Sequence, residues 1–137
     1  MAQPIAPRDG TILLVEDCAE VRMGLAELLE LNGFRVNDTA DGEHALRTLS
    51  ADPAAYALLL LDLILPGRIS GTDIRAQQLS DPRLAAVPTV VVSACEPEED
   101  VTAILKPDVW LEKPFRCEQL LAVVRRFVRP VPRAGAA

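Results

Sequence analysis

Apolar residues in this chain fall into five short runs, separated by stretches in which they recur every three or four positions. TILLV (11–15), YALLLLD (56–62), PTVVVSA (88–94) and DVWLE (108–112) are rich in leucine and β-branched residues and predict buried strands. FRVND (34–38) alternates and predicts a less buried one. Between them, residues 19–32 set Val21, Leu25, Leu28 and Asn32 at helical spacing, with Leu29 beside them and Gly33 as a stop. A second helix covers 41–50 with Ala45, Leu46 and Leu49 on one side, and Gly71 opens a weaker third over 71–79 with a tight turn. A short helix over 97–105 carries Val101, Ile104 and Leu105. A last one over 116–128 carries Leu120, Val124 and Phe127, with Arg125 and Arg126 near its negative end. Five strands alternating with five helices predict an α/β fold, a doubly wound five-stranded parallel sheet covered on both faces with right-handed crossovers. In such sheets ligands bind beyond the carboxyl ends of the strands, so the residues that end the strands decide the function.

Those ends carry the chemistry. The first strand runs into Glu16 and Asp17, the third ends in Asp62, the fourth in Ser93, and the fifth runs into Lys113 and Pro114. Asp62 stands in LLLLDLILPG, an apolar setting in which an unpaired carboxylate is very costly. A parallel sheet answers part of that difficulty, because it gathers all five side chains at one edge. Two unit charges ~4 Å apart still repel by roughly 4 kcal/mol at an effective dielectric of about 20. Three carboxylates are therefore stable together only with a cation among them or a shared proton. Lys113 neutralises one charge, and a divalent ion neutralises more. With hard oxygen donors and no His or paired Cys, Mg²⁺ fits better than zinc, and it completes its shell with waters and phosphate oxygens. A hydroxyl and an ammonium beside it suit a phosphoryl group. The residues thus point to a Mg²⁺-dependent phosphate site built around Asp62.

Composition narrows the setting. The 137 residues suit one domain, half of them are hydrophobic, and the net charge of −6 argues against a nucleic-acid-binding surface. No apolar run of transmembrane length and no secretory leader pattern is present, so neither membrane nor export is expected. Cys18, Cys95 and Cys117 form neither a disulfide framework nor a zinc pattern, which suits a cytoplasmic setting. Cys18 and Cys95 should lie near the site, in an acidic environment that discourages a reactive thiolate, while Cys117 reads as a small core residue. His44 reads as a solvent-facing helix residue and EPEED (96–100) as a solvated helix start. The expected organisation is a flexible N-terminal tail over 1–9, one domain over 10–128 and a flexible C-terminal tail over 129–137.

LLVED (13–17), LLLDLILPG (59–67), Gly71 within GRISGTD, VVVSA (90–94) and EKPF (112–115) occur in an order that resembles the receiver domain of two-component response regulators, the CheY-like superfamily. The resemblance implies a flavodoxin-like sheet of order 2-1-3-4-5. It implies Asp62 as phosphoacceptor, and Mg²⁺ held by Asp17, Asp62, the backbone carbonyl of Ile64 and, through water, Glu16. Ser93 and Lys113 would grip the phosphoryl oxygens, Ser93 and Trp110 would act as switch residues, and Lys113–Pro114 would be cis. Glu16 stands in place of the commoner aspartate, Ser93 in place of a frequent threonine, and Trp110 in place of a smaller aromatic. The loop PGRISG is one residue longer than the commonest form and resembles a subset found alone or fused to hybrid kinases. The function implied is that of a single-domain response regulator, not itself an enzyme, that assists its own phosphorylation and dephosphorylation. It takes a phosphoryl group from a sensor histidine kinase or phosphotransfer protein and signals to a downstream protein through a surface at helix 97–105, strand 108–112 and helix 116–128. An aspartyl phosphatase is the rival enzyme reading, but its second acid would fall at position 64, which is Ile. A receiver-like interaction module that is never phosphorylated is the third class, and the complete acid and lysine set counts against it.

Overall fold

The computed structural model describes residues 6–131. Its strands are β1 (Thr11–Val15), β2 (Arg35–Thr39), β3 (Tyr56–Asp62), β4 (Thr89–Ser93) and β5 (Val109–Glu112). All pair in parallel in the order β2-β1-β3-β4-β5, as the resemblance implied. The helices among the described residues are α1 (Ala19–Leu31), α2 (Gly42–Ala51), α3 (Gly71–Ser80), α4 (Pro82–Ala85), α5 (Glu99–Leu105) and α6 (Cys117–Arg125), with a 3₁₀ turn at Pro53–Ala55. The helix not anticipated is α4. Its four residues are too few to show a period, and it is set by chemistry instead: Pro82 at the first turn and the Asp81 carboxylate accepting from the Arg83 N–H.

The apolar run at 56–62 is the central strand, buried along its whole length. Because side chains alternate, it feeds two cores. On one face Leu58 and Leu60 join Ile12, Leu14, Val90 and Val92 against Leu29 of α1 and Leu120 and Val124 of α6. On the other, Leu59 and Leu61 join Leu13 and Val15 against Ala45, Leu46 and Leu49 of α2, Ile74 of α3 and Leu84 of α4. Periodicity overreached at the rims. Val21 is exposed and Cys117 is not a core residue, since it too is exposed. Both stand in the first turn of a helix that begins just past the end of a strand, where little sheet lies beneath the helix. In α5 only Leu105 turns fully inward, and Ile104 is 70% exposed. His44 and the EPEED run are solvent-exposed, as expected.

Of the expected tails, residues 1–5 and 132–137 lie outside the described residues. The inner ends are tied together: Arg8 pairs with Val128 in an isolated parallel bridge, and the Val131 N–H donates to the Gly33 carbonyl at 2.7 Å. Two features of α3 bear on the site. The Gly71 N–H donates to the Leu63 carbonyl at 3.0 Å, and a Cβ at residue 71 would run into the Asp62 carbonyl oxygen. Glycine is required there for room at the strand end rather than for a turn. Further along, Arg75 and Gln78 are buried polar residues facing β4 and the end of α5. The Arg75 guanidinium donates to the Leu105 and Lys106 carbonyls at 2.7 and 2.6 Å, to Gln78 Oε1 at 2.7 Å and to Thr89 Oγ1 at 3.0 Å.

Candidate functional site

Alternation along the strands decides which strand-end residues meet. Glu16 lies two residues beyond Leu14, Asp62 two beyond Leu60, and Lys113 two beyond Leu111, so all three continue the face covered by α1 and α6. Lys113 Nζ lies 2.9 Å from Glu16 Oε1 and 3.2 Å from Asp62 Oδ2. The other Asp62 oxygen, Oδ1, accepts from the Ile64 N–H at 3.0 Å. The buried Asp62 is therefore tolerated because an ammonium and a backbone N–H hold its two oxygens. Asp17, exposed at the rim, completes an acidic group: one carboxylate oxygen from each of Glu16, Asp17 and Asp62 lies within 4.8 Å of the others.

Ser93 continues the opposite face of β4, beyond Val91, and its Oγ accepts from the Cys95 N–H at 3.1 Å. The Ser93 carbonyl accepts from the Lys113 N–H at 2.8 Å, which ties the ends of β4 and β5. Lys113–Pro114 is cis. Trp110 is half-buried, and its indole N–H donates to the Cys95 carbonyl at 3.2 Å, linking β5 to the loop after β4. Ile64 contributes its backbone to Asp62 while its side chain is 64% exposed.

Electrostatics show what the group lacks. Burial, reinforced by the neighbouring Asp62 carboxylate, pushes Glu16 up to about 7, although Lys113 pulls the other way. Burial alone would lower the Lys113 pKa, but the hydrogen bonds and charges of Glu16 and Asp62 outweigh it and leave it raised. One ammonium thus serves two carboxylates, while Glu16 Oε2 is buried with no hydrogen-bond partner among the described residues. An unpaired buried oxygen, three hard donors and a deficit of positive charge fit a divalent cation such as Mg²⁺.

Sequence reasoning missed one neighbour. Arg22 of α1 donates to the Glu16 carbonyl at 2.9 Å, to the Asp17 carbonyl at 3.3 Å and to Asp38 Oδ2 at 3.0 Å. Its sequence signal is weak, a single cation five residues after Asp17, because backbone acceptors leave no mark on the sequence.

A family model described as the response regulator receiver domain matches residues 12–125. The chain belongs to that family. This receiver domain is 36% identical over 121 residues to the sensory transduction protein RegX3 of Mycobacterium tuberculosis, covering 87% of the chain and 51% of the relative. It is 34% identical over 120 residues to the transcriptional regulatory protein CpxR of Escherichia coli K12, covering 86% and 49%. The chain thus spans about half the length of these curated relatives. Among solved structures, the receiver domain of the sensor histidine kinase PA1611 of Pseudomonas aeruginosa, described with a magnesium ion coordinated in its active site cleft, aligns at a TM-score of 0.74 and 28% identity, over 88% of this chain and 98% of that one. The chemotaxis protein CheY4 of Vibrio cholerae aligns at 0.77 and 22%, over 88% and 100%, a likeness of fold. Receiver domains are phosphoacceptors that work with histidine kinases or phosphotransfer proteins and bind Mg²⁺ at an acidic cluster of this kind. Among the described residues no helix is long and apolar enough to cross a membrane.

Proposed function

We propose that Asp62 accepts a phosphoryl group from the phosphohistidine of a histidine kinase or phosphotransfer protein. The observation that carries this is the Asp62 carboxylate at the sheet edge, held by Lys113 and the Ile64 N–H, with Glu16 and Asp17 beside it. In the transfer an Asp62 oxygen forms a bond to phosphorus, the phosphorus–nitrogen bond breaks, and its electron pair returns to the imidazole of the donor. Asp17, Asp62, the Ile64 carbonyl and, through water, Glu16 are the groups that would hold Mg²⁺, which when bound supplies positive charge to the phosphoryl oxygens. Lys113 supplies the protein's own charge to the same oxygens, and positioning with charge neutralisation carries most of the rate. Once formed, the aspartyl phosphate gives the Ser93 hydroxyl an acceptor for its proton, while its Oγ still accepts from the Cys95 N–H. Movement of Ser93 toward the phosphoryl group therefore pulls on the loop whose Cys95 carbonyl holds Trp110. Ser93 and Trp110 are thus the switch residues of this proposal, and the face of α5, β5 and α6 is where a downstream protein reads the change.

Metal dependence tests the assignment. Labelling by a small acyl-phosphate donor should require Mg²⁺. Apparent affinity should weaken as the pH falls below about 7, because Glu16 takes up a proton that competes with the cation. Asp17→Ala should lose affinity at every pH, and a variant that binds Mg²⁺ as wild type does would overturn the ligand set. Calorimetric titration of Mg²⁺ at several pH values measures both.

The lifetime of the phosphorylated state is a second expected outcome. Ile64 and Cys95, two residues beyond Asp62 and Ser93, flank the approach to phosphorus by resemblance, and neither orients a water well: one is aliphatic, the other a weak hydrogen-bonding group. Both side chains are exposed, so polar replacements can reach solvent there. Self-dephosphorylation should be slow, and Ile64→Asn with Cys95→Glu should speed it about tenfold, or ~1.4 kcal/mol of barrier. Decay of labelled protein at the wild-type rate in the double variant would show that these positions do not control the water.

A further inference from the structure

Where β1 leaves the sheet, its pairing ends at Val15, matched with Thr39 on one side and Leu61 on the other. Glu16 and Asp17 lie beyond that register, yet both must aim their carboxylates at one point. The Glu16 N–H still donates to the Thr39 carbonyl, at 3.1 Å, while the carbonyls of Glu16 and Asp17 accept from a side chain. Arg22 takes both of them with a single nitrogen, Nη1. Its Nε is held in turn by Asp38, near the end of the edge strand β2. The Arg22 side chain is only 18% exposed, and its helix is anchored at the same turn by the Arg22 N–H donating to the Cys18 carbonyl at 2.8 Å. One planar group therefore joins α1, the acidic turn and β2. A guanidinium suits this task, since it presents several donors in a rigid fork and cannot lose its proton.

We propose that Arg22 is a positioning residue for the divalent-cation site: by clamping the backbone of Glu16 and Asp17, braced by Asp38, it fixes the direction of the two carboxylates. The proposal rests on the Mg²⁺-dependent phosphoacceptor reading. A guanidinium this close to an acidic group has a second possible effect of opposite sign, because its charge repels a cation. If charge were the main effect, removing Arg22 would strengthen Mg²⁺ binding. If positioning is the main effect, removing it weakens binding, because two carboxylate ligands lose their common orientation. Asp38 offsets the charge, which leaves the positioning effect dominant. Partners that orient metal ligands are typically worth ten- to a hundredfold in affinity, and about tenfold is expected here because Arg22 acts through the backbone.

The experiment is a calorimetric Mg²⁺ titration of the full chain, with the initial rate of acyl-phosphate labelling followed against Mg²⁺ concentration. Arg22→Met should raise the apparent dissociation constant for Mg²⁺ about tenfold, with much of the labelling rate recovered at saturating Mg²⁺. Arg22→Lys keeps the charge but cannot span both carbonyls and Asp38, and should fall between the two. Asp38→Asn should weaken binding by a smaller factor. Circular dichroism reports whether each variant is folded, and should Arg22→Met not fold, the order of Arg22→Lys, Asp38→Asn and wild type decides the matter. Unchanged or tighter Mg²⁺ binding in folded Arg22→Met, or wild-type affinity in both Arg22→Lys and Asp38→Asn, would overturn the proposal. Asp17→Ala is the control that separates failures: if it too binds Mg²⁺ as wild type does, the cation site itself is wrong, and if it alone loses binding, only the role of Arg22 is wrong.

Discussion

Asp62→Asn is expected to abolish labelling by acyl phosphate and by a phosphorylated kinase alike, leaving the intact mass unchanged under conditions that fully modify the wild type. The side chain keeps its size and one oxygen, so the Ile64 N–H retains its acceptor and the sheet edge its packing. What is lost is the anionic nucleophile and one of the two carboxylates that Lys113 serves. Folding should not suffer. Asp62 and Glu16 repel each other, and Asp62 is among the causes that hold Glu16 up near 7, so the amide relieves strain between like charges. A melting temperature equal to or above that of wild type, with no phosphoprotein, is the expected pair of results. The exposed carboxylates of the chain, Asp17 included, would have to be the real acceptors if Asp62→Asn were still labelled to the wild-type extent, and peptide mapping of the modified residue would identify them.

The second large effect is on stability. Arg75→Met is expected to cost about 3 kcal/mol and to lower the melting temperature by roughly 10 °C. Arg75 is 4% exposed and meets four acceptors: two carbonyls at the end of α5, Gln78 and Thr89. Each buried acceptor left without a donor costs about 1–3 kcal/mol, and part of the total returns because an apolar side chain no longer has to desolvate a charge. Burial disfavours the charged guanidinium, and the nearby Asp108, which accepts from the Thr89 N–H at 2.8 Å, compensates in part. The carbonyls released belong to Leu105 and to Lys106, a non-glycine residue in the left-handed region at φ 45°. Amide exchange should therefore rise first in α5, while phosphorylation of Asp62 persists in the folded fraction. Thermal melts and hydrogen exchange check both parts. A methionine variant as stable as wild type would mean that packing there outweighs the four hydrogen bonds.

The legible part of this protein lies in its strands. Seven consecutive buried residues at 56–62 could only be a central strand, and the residues that end the strands could only gather at one edge if the strands were parallel. Hydrophobic period and composition therefore carried the fold class and brought Glu16, Asp62 and Lys113 to one place, and motif order carried the strand order. The same local logic failed at Val21 and Cys117, because periodicity names the side of a helix and not the length over which a sheet covers it. It did not see α4, whose four residues hold one capping bond and one proline. Nor did it foresee that one ammonium is shared by two carboxylates while a Glu16 oxygen goes unpaired, since that depends on distances across three strands. Arg22 and Arg75 were beyond reach for a related reason. Each of them binds two backbone carbonyls, a group every residue carries, so those partners have no signature in the sequence. Which carbonyls stand free within reach of a guanidinium is decided only when the strands have ended and the helices have packed, and so the tertiary structure alone decides it.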